Sequence, residues 1–318
     1  MTYSANTLLI KSLAKQFGFD YCGIAAAKEL TEDARRLENW LTKGYQGEMK
    51  YMENHFDLRV DPRKLLPGAK SVITFLKNYY PASQDQDAIN TSDLKIAKYA
   101  LGEDYHIVIR TQLQNILEEM RSKMGQIEGR GFVDSAPVLE RSWAHLSGAG
   151  WIGKNGNLIQ PKAGSYFFIA TLIVDIELDY DAPFTKDYCG SCTKCIDACP
   201  TEAILPDKTI QGNHCISYYT IELKQNEIAS NKPYKDWAFG CDICQEVCPW
   251  NRFSKEHNES HFKPLTGLLQ MNTDQWLQME EETFKARFKN SPLLRTKLKG
   301  MKRNINFLLE QRLIDGRL

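Results

Sequence analysis

The stretch Cys189-Gly190-Ser191-Cys192-Thr193-Lys194-Cys195-Ile196-Asp197-Ala198-Cys199-Pro200 decides how the middle of this chain folds. Its x2-x2-x3 cysteine spacing before a proline is typical of proteins that hold two iron–sulfur cubes. In these, three thiolates bind one cube and the fourth reaches the other. A second run, Cys241-x2-Cys244-x3-Cys248-Pro249, lacks its first cysteine because Ala238 stands at that position. Cys215 is the spare thiol nearby, and we expect it to complete the set.

The number of cysteines agrees with two [4Fe–4S] clusters. Two clusters need eight thiolates, and the chain has nine cysteines. Because the last cysteine of each run binds the other cluster, the ligand sets cross between the runs. One set is predicted to be Cys189, Cys192, Cys195 and Cys248, and the other Cys199, Cys215, Cys241 and Cys244. The ninth, Cys22, lies in an apolar stretch and is expected to be a small buried side chain.

Zinc sites and disulfides are the alternatives for these thiols. Zinc would need separate four-ligand sets, and the x2-x2-x3-Pro run matches no common zinc spacing. Disulfides belong to oxidising compartments, but the N-terminus shows no basic and apolar leader and no twin-arginine pair. No apolar run approaches the roughly 20 residues that span a bilayer. We therefore expect a reduced, soluble, cytoplasmic protein without a membrane partner.

Hydrophobic periodicity predicts alternating helices and strands before the first cysteine run. Helices are predicted over 4–17, 29–43, 105–124 and 137–146, and strands over 21–27, 71–76 (within 69–80), 131–134 and 166–174. The alternation is typical of an α/β layer domain. The polar stretch 83–92 is expected to be a mobile loop, and helices are expected over 273–288 and from 291 onward. We divide the chain into an α/β domain (1–180), a two-cluster ferredoxin-like module (181–258) and a short helical segment (259–318).

Charge is balanced in this chain of 318 residues, with 40 basic and 40 acidic side chains. There is no overall field that would indicate a nucleic-acid partner, so such a site must be a local patch. One basic run near the C-terminus suits phosphates, although an ordinary solvated helix face is the alternative. This run consists of Arg295, Lys297, Lys299, Lys302 and Arg303.

A glycine-rich loop, Gly148-Ala149-Gly150-Trp151-Ile152-Gly153-Lys154-Asn155, resembles both a dinucleotide-binding fingerprint and a Walker A loop. Phosphate-binding loops of these kinds follow a strand and open a helix. Here a predicted helix comes before the glycines and Pro161 follows soon after them. We therefore expect no nucleotide at this loop, although glycines would let its backbone approach another large cofactor.

Asp134 is the main candidate for an acid, because strand ends in α/β folds line ligand crevices. The alternative is structural: Asp134 or Ser135 would cap the helix predicted to begin at Pro137. Spacing alone leaves both interpretations open. Since ferredoxin-like clusters deliver electrons and seldom act on substrates themselves, the large first domain indicates a redox site with its own cofactor.

Several sequence blocks together resemble the epoxyqueuosine reductases, a family of cobalamin-dependent enzymes that complete queuosine in tRNA. The blocks are Arg59-Val60-Asp61-Pro62, Leu65-Leu66-Pro67-Gly68-Ala69-Lys70, Gly102-x-Asp104-Tyr105-His106, Val133-Asp134-Ser135-Ala136-Pro137-Val138-Leu139-Glu140-Arg141, the Gly148 loop, and Gly240-Cys241-Asp242-Ile243-Cys244 continuing to Asn251. The resemblance covers about 44–251. It implies an N-terminal cobalamin domain, a two-cluster module and a helical C-terminal region that is short in this chain.

The resemblance also implies a reaction. The epoxide oxygen of epoxyqueuosine is removed in a two-electron, two-proton reduction, in which the clusters reduce cobalamin and cobalt(I) attacks the epoxide carbon. Asp134 would donate the proton to the departing oxygen. Because an ordinary Asp has a pKa near 3.9, we expect burial to raise the pKa of Asp134 by roughly 2–3 units.

The resemblance further implies that the cobalamin is base-off, with no protein ligand below cobalt. Asp104-x-His106 begins the D-x-H-x-x-G pattern of histidine-ligated cobalamin, but Ile109 stands at its glycine position. His106 is therefore expected to be a packed or hydrogen-bonded side chain.

Further site residues and partners follow from matching the blocks to the family. The expected corrin contacts are Arg59, Arg141, Lys154, Asn155 and Leu158, with Ser217 and Asp242 where the clusters approach the corrin edge. For Arg59 and Lys154, a solvated surface charge is the alternative. The expected partners are tRNA carrying epoxyqueuosine, whose base must leave the anticodon stack, and an external low-potential electron donor. We expect a monomer.

Two other functions compete with this one. A reductive dehalogenase would share base-off cobalamin and two clusters, but such enzymes usually carry a twin-arginine signal. A plain ferredoxin-type electron carrier would need neither the Asp134 block nor so large an N-terminal domain.

Overall fold

Helices and strands alternate through the first half of the molecule, as the periodicity predicts. The computed structural model describes residues 3–316. The α-helices are α1 Tyr3–Gln16, α2 Thr31–Thr42, α3 Phe56–Val60, α4 Pro62–Leu65, α5 Ser83–Thr91, α6 Tyr105–Met124, α7 Glu140–Leu146, α8 Lys194–Ala198, α9 Ile243–Glu246, α10 Thr273–Gln278, α11 Glu281–Arg287 and α12 Lys297–Ile314. The strands are β1 Tyr21–Ala26, β2 Ser71–Asn78, β3 Lys95–Ile96, β4 Gly129–Val133, β5 Trp151–Ile152, β6 Leu158–Ile159, β7 Phe167–Val174 and β8 Trp237–Phe239.

A four-stranded sheet with the order β1-β2-β7-β4 forms the centre of the N-terminal region. Helices cover both of its faces. Ile73 and Phe75 of β2 pack in one core with α1 and α6, whereas Val72 packs on the opposite face with Trp143 of α7. The layered mixture of helices and strands agrees with the sequence, but every neighbouring pair in this sheet is antiparallel. The rule for the ends of parallel strands therefore does not explain the position of Asp134, which has to be understood from its contacts.

The two cysteine runs lead into two short helices, α8 and α9, that pack against each other. A second core holds the module and the C-terminal helices together, and it includes Ile89 and Leu101 from the first half of the chain. Within it, the rings of Trp276 and Phe288 stack at 5.4 Å. The division of the chain near 180 and 258 remains a prediction. Within residues 3–316, no helix combines the length and the apolar character needed to cross a membrane.

Three local predictions are wrong. The stretch expected to be a mobile loop forms α5, because Ile89 anchors it in the second core. The predicted helix over 273–288 is two helices, since Met279 and Glu280 between them adopt extended backbone angles. The helix predicted from Pro137 begins only at Glu140, and the segment before it forms the loop that carries Asp134.

Candidate active site

The thiols assigned to the first predicted set meet at one place. Cys189, Cys192, Cys195 and Cys248 line a single cavity of about 40 Å³, together with Tyr188 and Trp250. We call these four thiols the outer group, because Tyr188 beside them is an exposed side chain. The indole Nε1 of Trp151 lies 3.4 Å from the sulfur of Cys189 and donates a hydrogen bond to it. No motif in the sequence predicts this bond.

The thiols assigned to the second set form the inner group, consisting of Cys199, Cys215, Cys241 and Cys244. Burial and then the nearby thiols of Cys215 and Cys199 raise the pKa of Cys244. Burial and the same Cys215 thiol raise the pKa of Cys241. All nine cysteines, which lie within residues 3–316, are free thiols. All eight thiols are half-buried, and a metal cluster would supply the positive charge that stabilises their thiolates.

Asp134 lies just beyond the end of β4, and its side chain is exposed. Its backbone is left-handed, with φ 52°, a conformation that Asp tolerates better than most residues. Its backbone N–H donates to Oε1 of Glu140 at 2.9 Å. The Tyr105 hydroxyl donates to its carboxylate at 2.6 Å, and Nε2 of His106 lies 3.5 Å from the same oxygen. The helix α7 begins after Leu139, which makes no side-chain capping bond within the described residues, so the capping interpretation of Asp134 is wrong.

The charge state of Asp134 differs from the expectation. Partial loss of surrounding water favours the neutral acid, but contacts with His106 and Tyr105 and the charge of Arg295 outweigh it. The pKa of Asp134 therefore lies below its ordinary value, although we expected it to be raised. Glu140 behaves oppositely, because burial and the neighbouring Asp134 charge raise its pKa to about 8.

Cys22 packs against a core, as expected, but it is half-buried rather than fully buried. Burial raises its pKa to about 12, so this thiol stays protonated at neutral pH. The Gly148 loop follows α7 and forms the hairpin of β5 and β6. Gly150 is required there, because a Cβ atom would come within 2.0 Å of the Ile159 carbonyl oxygen. The loop therefore lacks the strand-loop-helix context of a phosphate-binding site.

The expected corrin contacts occupy different environments. The guanidinium of Arg59 is buried, donates to the Tyr51 carbonyl, and keeps an Nε without a partner in the described part of the chain. It is therefore not a solvated surface charge. Arg141 donates to the Gly156 carbonyl, and its charge faces Asp134 and Glu140.

The glycine-loop residues reach the thiol groups. Nζ of Lys154 donates to the carbonyls of Gly190 and Cys192, in the segment that carries the first thiols of the outer group. Lys154 is therefore not a free surface charge either. Asn155 donates to the Cys244 carbonyl of the inner group at 3.1 Å. The Leu158 side chain packs in a core, so any contact with a cofactor falls to its backbone.

Two of the predicted cofactor residues, Ser217 and Asp242, lie beside the inner group. Ser217 contacts the Cys215 thiol. Asp242 is buried, accepts a hydrogen bond from the Lys98 backbone N–H, and lies 3.6 Å from the Lys98 ammonium. Burial raises the pKa of Asp242 to about 6.

Tyr99 lies between the inner group and Asp134. Burial and the charges of Asp134 and Asp242 raise its pKa, and its ring contacts that of Tyr105 edge-on at 6.1 Å. Asp134 and the inner group therefore lie on either side of Tyr99.

The C-terminal basic run borders a larger cavity of about 870 Å³, which Tyr51 and Glu222 also line. Arg295 forms a double hydrogen bond with Glu222 and lies over the Tyr51 ring. Lys297 and Lys299 are exposed at the cavity edge. Arg303 donates to the carbonyls of Leu223, Gln225 and Tyr219. Its inclusion among the phosphate contacts is wrong, because these carbonyls occupy its guanidinium.

Comparisons with known proteins agree with the geometry. The family model described as epoxyqueuosine reductase QueG, DUF1730, matches residues 59–135, and a 4Fe-4S double cluster binding domain matches residues 188–251. An epoxyqueuosine reductase of Cyclobacterium marinum is 53% identical over 96% of this chain and 98% of its own.

Solved structures give the same result. A crystal structure of epoxyqueuosine reductase with an epoxyqueuosine-modified tRNA-Tyr stem loop has a TM-score of 0.84 and 28% identity, covering 94% of this chain and 80% of that one. A structure of the Bacillus subtilis enzyme, described with its catalytic aspartate loop swung out of the active site, has a TM-score of 0.83 at 28% identity and the same coverage.

The layered fold and the double cluster domain define an iron–sulfur oxidoreductase with two [4Fe–4S] clusters. Its relatives match almost from end to end. The chain belongs to the epoxyqueuosine reductase family. A catabolic reductive dehalogenase has a TM-score of 0.50 and 16% identity, covering 96% of this chain and 38% of that one, and so shares the fold alone.

Proposed function

We propose that this protein reduces epoxyqueuosine to queuosine in tRNA, with cobalamin and two [4Fe–4S] clusters as cofactors. The observation that carries the proposal is the exposed Asp134 carboxylate, which Tyr105 and Tyr99 connect to the core around the inner thiols Cys215 and Cys241. Removing an epoxide oxygen needs electrons and protons at one place, and here a carboxyl group and a predicted cluster site lie on either side of Tyr99. The relative solved with a modified tRNA stem loop supports the choice of substrate.

The buried Arg59 fits a large cofactor that carries amides and a phosphate. The partnerless Nε of the buried Arg59 would gain an acceptor from such a group. We propose that Arg59, Arg141, Lys154, Asn155, Ser217 and Asp242 hold cobalamin, with Leu158 contributing its backbone. When bound and reduced, cobalamin supplies the nucleophile for the epoxide carbon.

The chain itself positions the proton and the electrons. Tyr105 orients the Asp134 carboxyl group, which would first take up a proton and then pass it to the oxygen that leaves the epoxide. The outer group would hold the cluster that takes electrons from an external low-potential donor, because these thiols lie beside exposed side chains. The inner group would hold the second cluster, on the side of Tyr99 opposite Asp134. A tRNA substrate makes the cytoplasm the expected compartment, and we expect the protein to act as a monomer.

Reconstitution with iron, sulfide and cobalamin tests the cofactor content. We expect absorbance from two clusters and about one cobalamin per chain. An electron carrier without a substrate of its own would show the iron–sulfur absorbance and no stoichiometric cobalamin. That result would contradict the proposal, whatever the iron content.

The double variant Lys297→Gln/Lys299→Gln should weaken tRNA binding. Each phosphate contact contributes about 0.7–0.9 to the slope of log affinity against log salt, so losing two lowers the slope by about 1.4–1.8. Fluorescence anisotropy with a labelled anticodon stem loop measures this. The matched control is Lys15→Gln/Lys123→Gln, two lysines on α1 and α6 away from the cavity. Equal slopes for both double variants would place the tRNA on another surface.

A further inference from the structure

We propose that His106 is a positioning residue that holds a proton for Asp134, within a relay formed by Asp104, His106 and Asp134. The inference rests on the proposed function, since the proton is meant for the epoxide oxygen. It assigns a role to a side chain that was expected only to be packed or hydrogen-bonded.

The three side chains form a line at the start of α6. Nδ1 of His106 lies 2.7 Å from Oδ1 of Asp104, and its Nε2 lies 3.5 Å from Oδ2 of Asp134. This Nε2 is buried and lacks a hydrogen-bond partner among residues 3–316. The nearest acceptor for a proton on Nε2 is therefore Oδ2 of Asp134. A hydrogen bond forms when these two atoms move a few tenths of an ångström closer together.

Neighbouring groups fix the ring in this orientation. The rings of His106 and Tyr105 stack at 4.2 Å, while the Tyr105 ring stacks on Phe168 of β7 in turn. Asp104 also caps α6 by accepting from the His106 backbone N–H. The Asp104 carboxylate thus contacts both the backbone N–H of His106, in the first turn of α6, and Nδ1 of the same residue, which leaves Nε2 facing Asp134.

The surrounding charges favour one proton shared between His106 and Asp134. Burial alone would lower the pKa of His106, but contacts with Asp104 and Asp134 raise it to about 9. The other groups nearby are Tyr105 and Glu140 close to Asp134, Arg110 near Asp104, Tyr51 and Tyr99, and the cations Arg141 and Arg295. At neutral pH His106 is then an imidazolium and Asp134 a carboxylate, so the proton for the substrate starts on His106.

The transfer balances without any electron moving. The N–H bond at Nε2 of His106 breaks and an O–H bond forms on Oδ2 of Asp134, which turns imidazolium and carboxylate into neutral imidazole and acid. Asp134 then gives this proton to the departing oxygen and becomes a carboxylate again. Uptake of one proton from water restores the imidazolium.

Two variants separate this role from simple packing. Asp104→Asn keeps the helix cap, because Asn caps as well as Asp, but it removes the charge that favours the imidazolium. His106→Gln keeps a donor near Asp134 that cannot release a proton. His261→Gln, at a half-exposed histidine paired with Glu103, is the matched control. Each is measured twice: by NMR titration of ¹⁵N-histidine in the oxidised holoenzyme, and as single-turnover conversion of epoxyqueuosine tRNA against pH.

In the wild type we expect His106 to titrate near pH 9 and turnover to fall as pH rises through that value, because the pair then holds no proton. In Asp104→Asn both midpoints move to lower pH. His106→Gln loses this pH limb and roughly ten- to a hundredfold in rate, whereas His261→Gln keeps the wild-type profile. An imidazole that is neutral at pH 7, or an unchanged profile in His106→Gln, would overturn the relay. If the wild type forms no queuosine, the proposed function fails, and the titration still decides whether the pair holds a proton.

Discussion

Asp134→Asn should abolish queuosine formation while both clusters and cobalamin remain bound. The amide can still accept the hydrogen bond from Tyr105, but it cannot supply an acidic proton. Asn also tolerates the left-handed backbone at φ 52°, so the loop and its bond to Glu140 should persist. Since general acids contribute about 10²–10⁴-fold to rates, we expect a loss in that range or beyond. Single-turnover kinetics, with iron and cobalt content measured on the same sample, test this.

Ser135→Ala is the control for the Asp134 variant. This serine is the next residue in the same exposed loop and accepts a hydrogen bond from Arg110, so the change disturbs the loop without removing the acid. We expect its rate to stay within a few-fold of the wild type. Wild-type turnover by fully loaded Asp134→Asn would show that another group donates the proton, and Glu140 would be the next candidate, since its pKa is about 8.

Cys215→Ser should remove the inner cluster and leave the outer one. Cys215 stands in for the cysteine missing at Ala238, and the inner group retains only three thiols without it. Iron content should fall from about eight to about four atoms per chain. Turnover should be lost, because electrons can no longer pass from the outer cluster through the inner cluster to the cobalamin near Asp134.

The matched control for this experiment is Cys22→Ala. Burial keeps the Cys22 thiol protonated, and it packs beside a core far along the chain from the cysteine runs. Its removal should therefore leave iron content and turnover unchanged. Iron loss in Cys22→Ala, or full iron retention in Cys215→Ser, would contradict the assignment of the eight ligands.

The sequence is most informative where ligands are close together along the chain. Short cysteine spacings restrict which thiols can share a cluster, and the structure gathers the outer group from the four residues that the spacing named. Asp134 was selected because it follows a predicted strand. The rule behind that choice holds for the ends of parallel strands and does not apply to this antiparallel sheet.

The charge state of Asp134 could not be predicted in the same way. It depends on Tyr105 and His106, which lie about thirty positions earlier and reach the site only after α6 packs on the sheet. Arg303 failed as a phosphate contact for a similar reason, because the carbonyls that occupy it belong to a loop some eighty positions away. Contacts between distant segments decide both cases.

One measurement tests the central claim most directly. The reconstituted protein is incubated under strong reducing conditions with tRNA that carries epoxyqueuosine, and the nucleosides are then analysed by mass spectrometry. We predict that epoxyqueuosine disappears and queuosine, lighter by one oxygen atom, takes its place only when cobalamin and both clusters are present. Unchanged epoxyqueuosine with the fully loaded, reduced protein would contradict the proposed function.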